Sequence, residues 1–377
     1  MSRIEHIRAT EVVVHAKDGY VDRPGFGPSI FDKGPKWLIE IRTDDGLVGC
    51  GETPRNVGRA AVEAAARQVL GKPLRDIPWA QPIPPDWSTH DALGHVNPPV
   101  PHRFYEVEVH TPGAEMGVMI AVQDLIARSA DMRLVDLFGG AEREAVPVDW
   151  WVGRTDPAHI TEQMQIGLRL GYRSIKMKAA AEDDIPGIVS AYKMIAGVSA
   201  RMVIDPNQRF YRCSEAVRIA RRVEQHDNII FEDPFPFDPD EWRQFRASTT
   251  VPICMHCGTR PHVAMAAHCC DYVNLCYPAA RFLGDAYIAS QFGMLCWSSS
   301  GVELGVLDAY ILHYSAAART CVLPGDAFGH DLRENDLINE TLQAVDGHID
   351  LPSGPGLGVT IDEDALSHYR KDAFELK

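Results

Sequence analysis

From Val146 onward the sequence repeats one unit, a short apolar run followed by a helix-like stretch. The runs are Val146–Val152, Ser174–Lys178, Met202–Asp205, Ile229–Glu232, Val251–His256, Tyr272–Leu275, Met294–Trp297 and Cys321–Leu323, each starting about 20 to 28 residues after the last. Parallel strands need a long crossover between them, and a helix is the usual one. Eight such units in succession predict a (β/α)8 TIM-like barrel, which takes roughly 200 to 250 residues. Residues 141–349 supply that span. The expected fold class is therefore α/β, a barrel preceded by a separate N-terminal α+β domain over residues 1–140.

The first 140 residues lack the repeat. Glu11–His15 and Trp37–Ile41 read as strands, and Thr43-Asp44-Asp45-Gly46 turns the second into Leu47–Cys50 as a hairpin. Arg59–Leu70 is Ala-rich and helical, and Glu115–Leu137 is helical until Phe138-Gly139-Gly140 stops it. The Gly/Pro-rich stretch Lys17–Pro35 is long enough to be a lid, and Pro78–Pro101 reads as an irregular insertion. The C-terminal segment, about 350–377, is expected to pack back on this domain.

Composition narrows the partners. The 377 residues carry 37 Lys plus Arg against 52 Asp plus Glu, a formal charge of −15, and no basic run offsets it. Such a chain repels phosphate backbones, which argues against nucleic acid. No apolar stretch approaches the roughly 18 residues that span a bilayer, and Met1–His6 lacks a signal-like apolar region. Nine cysteines scattered through the chain read as reduced thiols. The expectation is a cytoplasmic protein acting on a small molecule.

Barrel chemistry comes from the C-terminal ends of the strands. Lys176 and Lys178 are two apart on one run, so both point into the barrel, and neighbouring ammonium groups can depress each other's pKa until one serves as a base. The next two runs end in Asp205 and Glu232, each followed at once by proline or nearly so. Buried carboxylates need a partner. Either the two acids pair with the two lysines, or they hold a divalent cation.

Lys-x-Lys, then Asp205-Pro206-Asn207, then Glu232-Asp233-Pro234 resembles, in that order, the enolase superfamily in its mandelate racemase and muconate-lactonizing branch. Gly46–Glu52 resembles the hairpin of that family's cap, and Asp124-Leu125 through Gly140 resembles the helix leading into its barrel. The resemblance implies a carboxylate substrate on a Mg2+ ion held by three acidic side chains. It also implies a barrel base that removes the α-proton to give an enediolate, and a homo-oligomer between dimer and octamer.

Two places depart from the family pattern. The fifth run reads Cys254-Met255-His256-Cys257 where a third acidic ligand belongs, which nominates His256 and makes Mn2+ or another divalent ion more competitive with Mg2+. Cys254-x-x-Cys257, with His262, His268, Cys269 and Cys270 downstream, is a weaker zinc pattern, because Cys254 and Cys257 fall on opposite faces of a strand. The opposite wall has neither the family's second lysine nor its histidine, leaving Cys276 as a candidate second acid. Glu303 matches a glutamate of the lactonizing branch or pairs with a lysine.

Arg154, Arg209, Arg260 and Arg281 follow predicted strand ends and favour a polyanionic or polyhydroxylated acid. Arg55, Tyr20 and Phe26 could close over it. The resemblance thus implies an enzyme, a lyase or an isomerase. The leading expectation is dehydration of a sugar acid with Lys178 as base, Lys176 on the substrate carboxylate, Asp205, Glu232 and His256 on the metal, and Asn207 nearby. A cycloisomerase or epimerase of the same superfamily and a degenerate binding protein are the alternatives.

Overall fold

The structure is a computed structural model that describes residues 2–17, 34–79, 113–154, 157–256, 261–327 and 329–377. Tyr20, Phe26, Arg260, Cys257 and most of the Lys17–Pro35 and Pro78–Pro101 stretches lie outside those residues.

The cap begins with β1 (Ile4–Val12), β2 (Lys36–Thr43) and β3 (Val48–Glu52), followed by α1 (Arg59–Val69) and α2 (Gly113–Ser129). The hairpin expected around Asp44–Gly46 is present, with Leu38 opposite Glu52 and Arg42 opposite Val48. Trp37, Ile39 and Ile41 alternate onto one face of β2 and pack with Val62, Ala66, Val118 and Val122 of the two helices. Gly49 and Gly51 let β3 lie directly on α2, since a Cβ at Gly51 would collide with the Gly117 carbonyl. The helix expected over Glu115–Leu137 is two: α2 ends at Ser129, and α3 (Leu134–Leu137) restarts after Asp131 takes a positive φ of 52°.

The barrel region contains β4 (Ala145–Pro147), β5 (Trp150–Val152), α4 (Pro157–Arg169), β6 (Ser174–Lys178), α5 (Ile185–Ala196), β7 (Arg201–Asp205), α6 (Cys213–Ala220), β8 (Ile229–Glu232), α7 (Pro239–Ser248), β9 (Ile253–His256), α8 (Pro261–Ala266), β10 (Tyr272–Leu275), α9 (Ala279–Gln291), β11 (Leu295–Ser298) and α10 (Gly305–Ala317). After α11 (Gly329–Leu332) come β12 (Ala344–Val345), β13 (His348–Asp350), α12 (Glu363–Tyr369) and β14 (Arg370–Leu376). β5 to β11 form one parallel seven-stranded sheet in sequence order.

Two runs differ from the reading of the sequence. Val146–Val152 is divided: β4 joins β12 and β13 in a separate antiparallel sheet, and only β5 enters the parallel one. Cys321–Leu323 forms no regular strand, because Pro324 lacks an N–H to donate to a ladder. The segment instead bridges the two sheet edges, with Cys321 paired to Cys296 of β11 and Gly325 paired to Val148 ahead of β5. Asp326 N donates to Ser298 O at 2.9 Å, and Asp149 N donates to Gly325 O at 2.8 Å.

The two ends of the chain share structure. β14 pairs antiparallel with β1, Ile7 opposite Leu376, so the C-terminal segment completes the N-terminal sheet. α10 is buried along nearly its whole length. Inside it, His313 Nε2 lies 3.0 Å from Leu357 O, and its Nδ1 accepts from Val135 N at 3.2 Å. On the parallel seven-stranded sheet, Val203, Ile230, Cys254 and Trp297 form a small separate apolar cluster beneath the strand ends.

Candidate active site

The inward side chains above that cluster are almost all polar. Lys176 and Lys178 point inward from β6, as their spacing requires, and neither is more than 9% exposed. Lys176 Nζ lies 2.8 Å from Glu232 Oε1, 3.0 Å from Asp326 Oδ2 and 3.4 Å from Asp205 Oδ2. Lys178 Nζ, one layer nearer the mouth, donates to Asp205 Oδ2 and, at 2.9 Å, to Asn207 Oδ1. Asn274 Nδ2 of β10 also donates to Glu232 Oε1 at 3.0 Å.

The electrostatics of Lys176 run against the expectation that a neighbouring amine depresses its pKa. Burial favours the neutral amine of Lys176, but Asp326, Glu232 and Asp205 outweigh it and push its pKa well above the ordinary lysine value. Burial likewise opposes ionisation of Asp205, yet Lys178 and Lys176 hold it below the usual carboxylate range. Glu232 goes the other way: burial, with Asp205 and Asp326 nearby, raises it to about 7 despite Lys176. Asp233, fully buried and beside Glu232, is pushed well up. It serves the backbone, accepting from His256 N at 2.9 Å.

The loops carrying these groups are strained. Asn207, Gln208 and Asp233 take positive φ of 45°, 68° and 41°, and Val302, a β-branched residue, takes 61°. Non-glycine residues in this region persist only where the surroundings impose it, and they gather at functional sites.

The far wall is formed by the ends of β9, β10 and β11. His256 Nε2 lies 3.2 Å from Ser299 Oγ, and Cys276 Sγ lies 3.2 Å from Ser299 Oγ and 3.7 Å from His256 Nε2. Cys276 is disulfide-bonded, whereas seven other cysteines are free thiols. A disulfide sulfur has no proton to donate, so the role of second acid expected for Cys276 requires its reduced form. Cys254 is a free, buried member of the apolar cluster, which removes it from any zinc set.

Among the described residues, no three His, Cys, Asp or Glu side chains are arranged to hold a metal ion. Asp205 and Glu232 are engaged by lysine ammonium groups, and the His256 ring leans toward Ser299. The chemistry of the donors nevertheless suits a cation. Glu232 Oε2 is buried with no hydrogen-bond partner. Asp205, Glu232 and Asp326 also outnumber the two lysines, leaving one unbalanced negative charge when all are ionised.

The remaining candidates are held by other contacts. Glu303 is fully buried, paired with Lys36 of β2, and accepts from Tyr277 OH at 3.1 Å and Gly301 N at 2.6 Å. Lys36 also donates to Glu52 at 2.9 Å, and Glu52 accepts from Leu304 N and Leu307 N, so this network joins the cap to the loop after β11. Arg55 is 3% exposed and donates to Gly301 O at 2.6 Å, so it braces that loop. Arg154 is bound by Asp183 and Glu182, and Arg281 lies 3.5 Å from Asp285. These two arginines therefore lend the mouth little unopposed positive charge. Burial first and then the neighbouring Arg154 lower the pKa of Arg209, which places two guanidinium groups together beside the mouth.

Sequence reasoning did not single out Asp326, Asn274, Ser299, Lys36 or Glu52. Asp326 was within reach of the same rule that found Asp205, since it follows the eighth apolar run by three residues.

A family model described as enolase C-terminal domain-like matches residues 159–365. The chain belongs to that family. Muconate cycloisomerase 1 of Rhodococcus opacus is 27% identical over 272 residues, covering 69% of this enolase-like chain and 72% of its own length. D-gluconate dehydratase of Thermoproteus tenax is 25% identical over 370 residues, covering 90% of this chain and 70% of its own. D-galactarolactone cycloisomerase of Agrobacterium fabrum is 25% identical over 97% of this chain and 99% of its own. The crystal structure of an N-succinyl Arg/Lys racemase from Bacillus cereus superposes with a TM-score of 0.79 at 20% identity, with both chains fully covered. At that identity the likeness concerns the fold.

Proposed function

We propose that this enzyme, a lyase or isomerase by family, removes the α-proton of a sugar acid with Lys178 and expels water from the neighbouring carbon. The observation that carries this reading is the unequal footing of the two lysines. Lys176 is enclosed by three carboxylates and stays an ammonium. Lys178 stands nearer the mouth, where Asp205 and Asn207 orient its Nζ while it takes up and returns a proton. The sheet topology reads as a (β/α)8 barrel whose last strand is reduced to two bridges, with residues 1–140 and the C-terminal segment as its cap.

Asp205 and Glu232, with His256 as third donor, would hold a divalent ion, Mg2+ or Mn2+. Bound there, the ion supplies positive charge for a substrate carboxylate on which negative charge develops. Lys176 orients that carboxylate. Lys178 accepts the α-proton and delivers it to the departing hydroxyl on the same face, so one C–H and one C–O bond break, water leaves, and the enol product tautomerises to a 2-keto-3-deoxy acid. The D-gluconate dehydratase and the D-galactarolactone cycloisomerase match nearly the whole chain, whereas the muconate cycloisomerase matches about two thirds of it, which favours a polyhydroxylated acid.

The His256–Ser299 contact favours a second reading, an epimerase or cycloisomerase with a proton donor on the far wall. A panel of aldonic and aldaric acids, incubated with Mg2+ or Mn2+ in deuterated buffer, separates the two. Formation of a 2-keto-3-deoxy acid supports dehydration. Exchange of the α-proton with inversion and no loss of water supports the second reading. Binding of an acid with neither outcome would leave a non-catalytic binding protein.

A further inference from the structure

Asp326 is a third carboxylate in the barrel interior, and the proposed reaction gives it no direct part. It stands on the bridge that spans the sheet edges, 2% exposed, with Oδ2 at 3.0 Å from Lys176 Nζ and Oδ1 buried without a hydrogen-bond partner. Lys176 is shared between this carboxylate and Glu232, whose Oε2 is likewise buried and unpartnered. One ammonium thus touches three acids, two of which are proposed to hold the metal.

An ammonium and a divalent ion cannot both sit against Glu232 and Asp205 without strong repulsion, because like charges a few ångströms apart in a buried site repel by several kcal/mol at an effective dielectric near 20. The ammonium therefore needs somewhere to go, and Asp326 Oδ2 already lies 3.0 Å from it. We infer that Asp326 is the retreat for the Lys176 ammonium, a positioning residue that draws it off Glu232, whose Oε2 has no hydrogen-bond partner, and so opens that carboxylate to a divalent ion. Its unpartnered Oδ1 supplies an acceptor for the ammonium proton that Glu232 gives up. Asp326 does not ligate the ion. It acts on affinity through Lys176.

This inference rests on the metal-dependent reading, and the test separates the two. Calorimetric titration of the metal-free full-length protein with Mn2+ is compared among wild type, D326N, K176M and the K176M/D326N double variant. The expected result is at least tenfold weaker Mn2+ binding in D326N, with wild-type affinity or better in both proteins that lack the lysine. Equal affinity in wild type and D326N would overturn the inference. A loss in D326N that persists in the double variant would also overturn it, because Asp326 would then be acting on the ion itself. No Mn2+ binding to wild type would remove the metal-dependent reading instead. Should D326N fail to fold, D326E keeps the charge: affinity within about threefold of wild type is expected, and a tenfold loss would count against the inference.

Discussion

On the side built by β6, β7 and β8, the barrel mouth carries Lys176, Lys178, Asp205 and Glu232 in direct contact with one another. On the side built by β9, β10 and β11, it carries an imidazole, a hydroxyl and a disulfide sulfur. The first wall is saturated with charge, which the proposed reaction uses for a cation and a base. The second is close to neutral and offers at most a hydrogen-bonded relay. A reaction that moves its protons along one wall fits this asymmetry better than one that needs a base on each side.

The asymmetry is broken most severely by Lys178→Ala. Turnover is expected to fall by about 10²- to 10⁴-fold, the usual worth of a positioned general base, while Mn2+ affinity stays within a few-fold. Retention of full activity would move the base to the other wall. Next in size is Lys36→Met, which leaves Glu303 and Glu52 buried without their cation behind the neutral wall. Breaking a buried pair in this way costs about 3–5 kcal/mol, read as a lowered midpoint in urea denaturation.

Ser299→Ala sharpens the comparison. It removes a hydroxyl hydrogen-bonded at the far wall, and about a tenfold fall in turnover is expected from one lost hydrogen bond. A loss as large as that of Lys178→Ala would show that both walls move protons.

The smallest effect is one of pH. Burial pushes Glu232 up to about 7 in the folded chain, against the ordinary glutamate value of 4.5. A carboxyl raised on folding binds more protons folded than unfolded across that window, so its contribution to stability falls as pH rises from 4.5 to 7 and stays lost above. A bound cation requires the ionised form, so metal affinity should rise with pH up to about 7 and level off there. Thermal melts and Mn2+ titrations between pH 5 and 8 read both trends, and an affinity flat across that range would contradict this one.

Much of the charged wall was legible in the sequence, because Lys176, Lys178, Asp205 and Glu232 each end or nearly end an apolar run of clear β character. The neutral wall was harder to read. His256 is a strand-end residue in the sequence, but only the fold reveals that its ring meets Ser299. Glu303 looked like a candidate for the substrate, and its partner Lys36, which it shares with Glu52, lies 267 residues away on a hairpin that reads only as cap. Asp326 was masked by Pro324 and Gly325, which interrupt the last run and make its end look like an ordinary turn. Periodicity reports which faces are buried. It does not report which buried charges find each other across elements distant in sequence.

The apolar cluster of Val203, Ile230, Cys254 and Trp297 has a consequence for how far this charge is felt. A layer without polar side chains beneath a ring of ions behaves as an insulator. Arg201 stacks on the Trp297 ring of that layer at 4.7 Å and pairs with Asp149, so the charge at the strand ends is screened from beneath by this pair alone among the described residues, and more weakly than through the open mouth. The barrel is in this sense an electrode with one open end. On the proposed reaction, its attraction for a cation and its repulsion of an approaching organic acid until that cation is in place are both aimed outward, which would set an order of arrival: metal first, acid second.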